Sequence, residues 1–281
     1  MSGAASAPKR SMLPREHGAW GLLFQPFLAG AVLARLEWPL LTPAILLLLA
    51  GFAVRAPLLH LARGWRQGGL GPAGTRAALV WAAAETALLA VSFALLWPRL
   101  PHAWRIGLPA GGAAFTLLAI WIGLRNWQRS RTFQTLSAAV LALSAPLAAQ
   151  LGQGKAPAWS WALWTIFVLH GAAAIQLVHE RLEHRIAARA GSGASLDSRP
   201  FFTAVGLQLA GGLALAAFDW RWLLPPLVSS LYALAEWRTL SRRETLREPL
   251  VRVGWRTLAF ALFHMLLAIA AFWPAARLRE I

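Results

Sequence analysis

An all-α membrane protein is the fold class this sequence predicts, and three observations predict it. Of the 281 residues, 58% are hydrophobic and only 14% charged, which is too apolar for a soluble domain of this size. The apolar residues lie in long continuous runs without period-two alternation, which selects helices over an outer-membrane barrel. Arginine collects between those runs, mostly on alternate connections, the pattern that orients a polytopic bundle.

The elements follow in order. Residues 1–13 are small, polar and basic and read as a disordered tail. Lys9 and Arg10 precede an apolar run that exceeds a signal-peptide core, so it reads as a permanent first span. Nine apolar segments are expected, at 18–35, 40–59, 77–97, 105–124, 133–151, 159–178, 201–218, 221–237 and 254–273. Each has about the length that crosses a bilayer as a helix. Residues 14–273 thus form one transmembrane helical domain, and 274–281 a short C-terminal tail. With the N-terminus inside, twenty of the 27 Lys and Arg residues fall on inside segments and seven outside. An odd number of spans keeps every loop on its preferred side, which predicts about nine spans, a cytoplasmic N-terminus and an outside C-terminus.

Sixteen tryptophans accompany a single tyrosine. Trp38, Trp97, Trp104, Trp159, Trp161, Trp220, Trp222 and Trp273 fall near one set of helix ends. Trp20, Trp65, Trp81, Trp127, Trp237 and Trp255 fall near the other, so two aromatic belts are expected. The net charge of +16 is distributed between spans and reads as orientation and affinity for anionic lipid, not as a nucleic-acid face. With no cysteine there is no disulfide framework, thiolate nucleophile or Cys metal site.

The inside connections are the longer ones. Residues 60–76 are rich in Gly and contain Pro72; residues 179–200 start as a helical extension through Arg189 and loosen at Gly191–Ser195 before Pro200. Connections 36–39 and 219–220 are tight. Function is therefore sought on the cytoplasmic face.

Candidate chemistry begins at Pro14-Arg15-Glu16-His17-Gly18-Ala19-Trp20. Proline at the first turn costs no hydrogen bond, and Glu16 faces the positive end of the peptide dipoles. Small Gly18 and Ala19 admit a neighbouring backbone and Trp20 suits the interface. Arg15, Glu16 and His17 make either a buried cluster or an ordinary charged helix start.

Glu85, His170 and His264 lie near the middles of the third, sixth and ninth segments. An ionisable group at that depth must face protein or water. Glu85 and His170 lie at similar depth, so a direct contact is open to them; hydrogen-bonded helix glue with backbone or Gln208 is the alternative, and a proton path or substrate site a third. Two mid-span histidines are also a haem ligand pair, although spacing adds no support.

His179-Glu180-Arg181-Leu182-Glu183-His184 is not a zincin helix, because its histidines are five positions apart and point about 140° from each other. His179 with Glu183, and Glu180 with His184, share faces, which predicts a helical salt-bridge ladder or one wall of a polar site. Glu236, Arg238, Arg242, Arg243, Glu244, Arg247 and Glu248 crowd the end of segment eight. These arginines, with Arg15, Arg55, Arg125 and Arg129, suit phosphate if the helices converge. Gln25-Pro26, Arg55-Ala56-Pro57 and Ala145-Pro146 put proline in spans, where freed carbonyls can line a polar pocket. His60 and Arg63 follow the second of these.

The Glu16-His17-Gly18-Ala19-Trp20 entrance, Arg55-Ala56-Pro57 and the many-span Arg-rich layout resemble the YwiC-like family of bacterial integral membrane proteins. The resemblance implies a bacterial cytoplasmic-membrane location and no particular chemistry. More distantly, the layout resembles the UbiA-type prenyltransferases, which implies a nine-span bundle with sites after spans two and six. Those enzymes hold magnesium and a prenyl diphosphate with aspartate-rich motifs. The matching places here read Arg55-Ala56-Pro57-Leu58-Leu59-His60 and His179-Glu180-Arg181-Leu182-Glu183, and the chain's only aspartates are Asp197 and Asp219. Ionising an allylic diphosphate needs metal bridged through several carboxylates, so that reaction is disfavoured and a divalent cation has no recognised motif.

Two functions are expected from these residues. One is a non-catalytic membrane component or carrier. The other is an enzyme on an isoprenoid or other phosphate-bearing lipid, with His17, Glu16, His179, Glu180 and Glu183 as candidate catalytic groups. Arg15, Arg55, His60, Arg125, Arg129, Glu85 and His170 would then bind the ligand.

Overall fold

The computed structural model describes residues 17–69, 71–190 and 197–277, and their regular structure is all helical. In chain order the helices are α1 (His17–Leu33), α2 (Trp38–Ala53), α3 (Arg55–Arg66), α4 (Pro72–Leu96), α5 (His102–Leu124), α6 (Arg131–Ala142), α7 (Ser144–Gln153), α8 (Ala158–Ala190), α9 (Arg199–Ala216), α10 (Leu224–Thr239), α11 (Arg243–Arg247) and α12 (Leu250–Arg277). Short 3₁₀ turns at Trp97–Arg99 and Trp220–Leu223 enter the next helices. All nine expected segments are helical. Six stretches among the described residues are long and apolar enough to cross a bilayer: Trp38–Arg66, Gly74–Arg99, His102–Leu124, Arg131–Gln153, Ala158–Ala190 and Val251–Arg277. Helix α1 has a shorter apolar part, Trp20–Leu33, and α9 and α10 have 18 and 16 residues. The fold is thus a helix-rich polytopic membrane bundle.

Two spans are divided, and proline explains where. A proline has no N–H for the carbonyl four residues earlier, and its ring crowds that carbonyl. Pro57 faces Ala53, the last residue of α2, and Pro146 faces Ala142, the last residue of α6. Pro26, Pro43, Pro109 and Pro274 sit inside helices that continue through them.

The chain forms two compact units, residues 1–17 with 43–127 and residues 18–42 with 128–281. In the first, α3 packs on α4 and α5. Gly123 lets α3 approach, since a Cβ there would lie 2.8 Å from Leu59 Cδ2. Leu79, Val80, Val91, Leu95, Ile106 and Leu117 are exposed, the surface expected of helices whose solvent is hydrocarbon. Helix α5 ends in a Schellman motif: Trp127 N–H donates to Ile122 O (3.1 Å) and Asn126 N–H to Gly123 O (3.2 Å). Asn126 takes the left-handed conformation this motif requires, φ 59°.

The second unit has the main core, where Ala29, Leu33, Ala145, Leu163, Ile166 and Phe272 are buried together. Small residues set its helix spacing, as in membrane bundles generally. A Cβ on Gly30 would lie 2.6 Å from Ala145 O, and one on Gly152 would lie 2.6 Å from Ala34 O. Ser144, freed at the α6/α7 break, donates to Leu23 O (3.1 Å). Two belt assignments are corrected here. Trp159 and Trp222 are buried in this core, with Trp222 stacked 4.6 Å from Phe272. Trp38, Trp65, Trp97, Trp127, Trp161, Trp220, Trp255 and Trp273 are exposed as expected.

Candidate functional site

The second unit carries two polar centres. Helices α8, α9, α10 and α12 pack against one another, and His170 of α8 and His264 of α12 meet between them. Their rings stack with centroids 4.0 Å apart and planes 15° from parallel. His170 Nδ1 shares a 2.6 Å hydrogen bond with Ser229 Oγ of α10, while Phe167 lies edge-on to His264 at 5.5 Å. Among the described residues, neither ring nitrogen of His264 has a hydrogen-bond partner. Gln208 of α9 is fully buried, and neither of its amide atoms is partnered. Ser230 Oγ is likewise unpartnered. Rings stacked this closely leave no space for a porphyrin held between them, so the two histidines do not fit one bis-histidine haem.

The second centre closes one end of the same bundle. Ser130 caps α6 by accepting from Phe133 N–H (3.3 Å), which fixes Arg131 on the first turn, beside α8. Arg131 donates to Gln176 Oε1 (3.1 Å) and to Glu183 Oε1, and lies 3.8 Å from Glu180 Oε1. Glu180 is fully buried and its other oxygen accepts from Ser198 Oγ (2.6 Å). His179 Nε2 donates to Gln134 Oε1 (3.0 Å). Beside this set, Glu236 Oε2 accepts from Arg181 (3.3 Å) and Arg256 (2.9 Å). Arg256 also reaches Glu248 Oε1 (3.2 Å), and Arg185 donates to the Glu248 carbonyl (2.9 Å).

The expected ladder along α8 is replaced by partners from α6 and α10. These helices pack directly on α8, so Arg131 of α6 reaches Glu183 and Glu236 of α10 reaches Arg181. A cavity of about 460 Å³ opens next to this network, lined by Glu236, Thr239, Glu244, Thr245, Arg247, Glu248, Arg252 and Arg256. Among the described residues no three His, Asp or Glu side chains converge as a metal-binding set.

The remaining candidates are distributed as follows. Arg15 and Glu16 lie outside the described residues, as does the side chain of His17. In the first unit Arg55 stacks on Phe52 (4.7 Å), His60 is half-buried on α3, and Arg125 lies over Trp121 (5.2 Å) and Trp127 (5.7 Å). Glu85 is buried in α4 with Oε2 unpartnered. Arg129, in the second unit, is exposed. His170 takes its hydrogen bond from its own unit, with Ser229 in the place expected of Gln208 or Glu85.

Comparison with known families bears on the first half of the chain. Residues 13–149 match the family model described as YwiC-like protein. Over roughly half its length this chain belongs to the YwiC-like family. The YwiC-like part runs from residue 13 into α7 and includes Arg55, His60, Glu85, Arg125 and Arg131. His170, His179–Glu183, Gln208, Glu236 and His264 follow it. No curated protein and no solved structure matches the chain, so the distant UbiA-type resemblance gains no support.

Sequence reasoning passed over Arg131, Gln134, Ser198, Ser229 and Arg256. Some signals were readable. Ser229-Ser230 is a polar pair inside an apolar segment, which in hydrocarbon must find partners. Ser130-Arg131 is a capping residue followed by a cation at a span entrance.

Proposed function

We propose that this chain is a multi-pass protein of a bacterial cytoplasmic membrane, crossing it nine times from a cytoplasmic N-terminus. Its role is non-catalytic: a carrier for a proton or small polar solute, centred on His170, His264, Ser229 and Gln208. One observation carries this reading. Both nitrogens of His264 and both amide atoms of Gln208 are buried without hydrogen-bond partners. A polar group left so costs about 1–3 kcal/mol, and at mid-membrane depth such groups mark substrate or proton pathways. The stacked rings direct their nitrogens away from each other, so a proton passes between the two imidazoles only after one ring turns.

The reading predicts opposite effects on stability and transport. Gln208→Met fills the same space with apolar atoms and should raise the unfolding free energy by about 1 kcal/mol. The same change, or His264→Phe, should slow collapse of an imposed pH gradient in vesicles holding a trapped pH dye. Destabilisation by Gln208→Met together with unaltered proton flux would sink the reading and leave these groups as helix glue.

A second reading, an enzyme on a prenyl-phosphate or related lipid, draws support from the cavity beside Arg247, Arg252 and Arg256. Against it, Glu236 and Glu248 are both engaged by arginines. Lipid extracted from purified protein distinguishes the readings. A stoichiometric isoprenoid phosphate lost on Arg252→Ala favours the enzyme; lipid content indifferent to that change favours the carrier.

A further inference from the structure

The two units treat their arginines differently. In the second, Arg131, Arg181 and Arg256 each face a carboxylate. In the first, residues 43–127 contain seven arginines and one acid, Glu85, which lies 13 residues into α4, about 20 Å along the helix. Among the described residues no carboxylate pairs with Arg63, Arg66 or Arg125.

These three cations are nevertheless held in place. Arg63 donates to Gly123 O and Arg66 to Leu124 O, both at 2.9 Å. The two acceptors are terminal carbonyls of α5, which have no partner within the helix and carry the negative end of its dipole. Arg125 is the next residue, so all three arginines are anchored at the C-terminal turn of α5. The Schellman motif returns the chain so that Trp127 meets Trp121 edge-on at 6.0 Å, with Arg125 over both rings. Held over the indoles, Arg125 donates no hydrogen bond among the described residues and keeps its N–H groups for an anion. Arg63 and Arg66 each use one of five N–H donors on the carbonyls.

Three positioned cations with no carboxylate partner among the described residues suit an anion. Its source follows from the surroundings. Trp65, Trp121, Trp127 and Leu117 are exposed, a setting of aromatic and aliphatic surface that belongs at the boundary of headgroups and acyl chains.

We infer that the C-terminal turn of α5, with Arg63, Arg66, Arg125, Trp121 and Trp127, binds the phosphate of an anionic phospholipid headgroup. The guanidiniums supply forked donors to the phosphate oxygens, and the indoles flank the glycerol and upper acyl chain.

Native mass spectrometry of the full chain, from mixed micelles of equimolar phosphatidylglycerol and phosphatidylcholine, tests this. The wild type should retain phosphatidylglycerol preferentially. Arg125→Gln, and Trp127→Ala with no change of charge, should each weaken that retention about tenfold, equivalent to ~1.4 kcal/mol. Arg238→Gln, an equal loss of charge on α10, should leave it unaltered. If Arg125→Gln does not fold, Arg125→Lys keeps the charge, loses the planar fork and should show the same weakening. Equal losses for Arg125→Gln and Arg238→Gln, or full retention by Trp127→Ala, would overturn the proposal. So would displacement of the lipid by excess inorganic phosphate.

Discussion

Gly30→Val should be the most damaging single change in the second unit, lowering its unfolding free energy by about 3 kcal/mol. The added Cβ alone would stand 2.6 Å from Ala145 O and 3.0 Å from Ala145 Cα. Both are backbone atoms and cannot rotate aside, so α1 must separate from α7. Separation would also stretch the Ser144 hydrogen bond to Leu23 O and open the core around Ala29, Leu33 and Ala145. Gly206→Ala is the matched control. Nothing lies within 4 Å of a Cβ there, so loss of backbone freedom in the unfolded chain should leave stability equal or raised by about 0.5–1 kcal/mol. Thermal or denaturant unfolding in detergent, followed by circular dichroism, compares the two. Equal behaviour would show that the α1–α7 approach has slack the geometry denies.

Arg131→Ala should have the next largest effect, a loss of about 2–3 kcal/mol. Glu180 is fully buried, and without Arg131 it would keep only the Ser198 hydroxyl. Glu183 and Gln176 would lose their shared donor as well. The magnitude comes from an uncompensated buried carboxylate, so removing that charge too should reverse much of it. The double variant Arg131→Ala, Glu180→Gln should therefore be more stable than Arg131→Ala alone. Arg131→Lys should fall between, because one ammonium cannot fork between Gln176 and Glu183. A double variant no better than the single would assign the loss to packing of the arginine stem.

The fold class was legible because hydrocarbon imposes a one-dimensional rule: each span must satisfy its own backbone, and every crossing needs a long apolar run. The prolines in the spans were singled out, but sequence did not tell Pro57 and Pro146, where helices end, from Pro26, through which α1 continues. The connection at 179–200 read correctly as a helical extension through Arg189, and α8 continues to Ala190. Count was harder. Helices α9 and α10 are helical where expected, but 18 and 16 residues lie at the short limit for a span, where composition alone stops discriminating.

Partnership was the other illegible quantity. His179, Glu180 and Glu183 were singled out, yet their partners Gln134, Ser198 and Arg131 come from outside α8. Trp159 and Trp222 illustrate the same limit, because an indole near a span end can face headgroups or fold into the core.

Sequence by itself determined that this chain is a helical membrane protein and where its helices lie. Tertiary structure alone decided that His170 meets His264 and Ser229, that Glu180 meets Ser198, and that Arg125 lies over two tryptophans. The division follows the range of the forces. Hydropathy, capping and proline sterics act within about a turn of helix, whereas a buried polar group is satisfied by whichever helix packing brings within 3 Å.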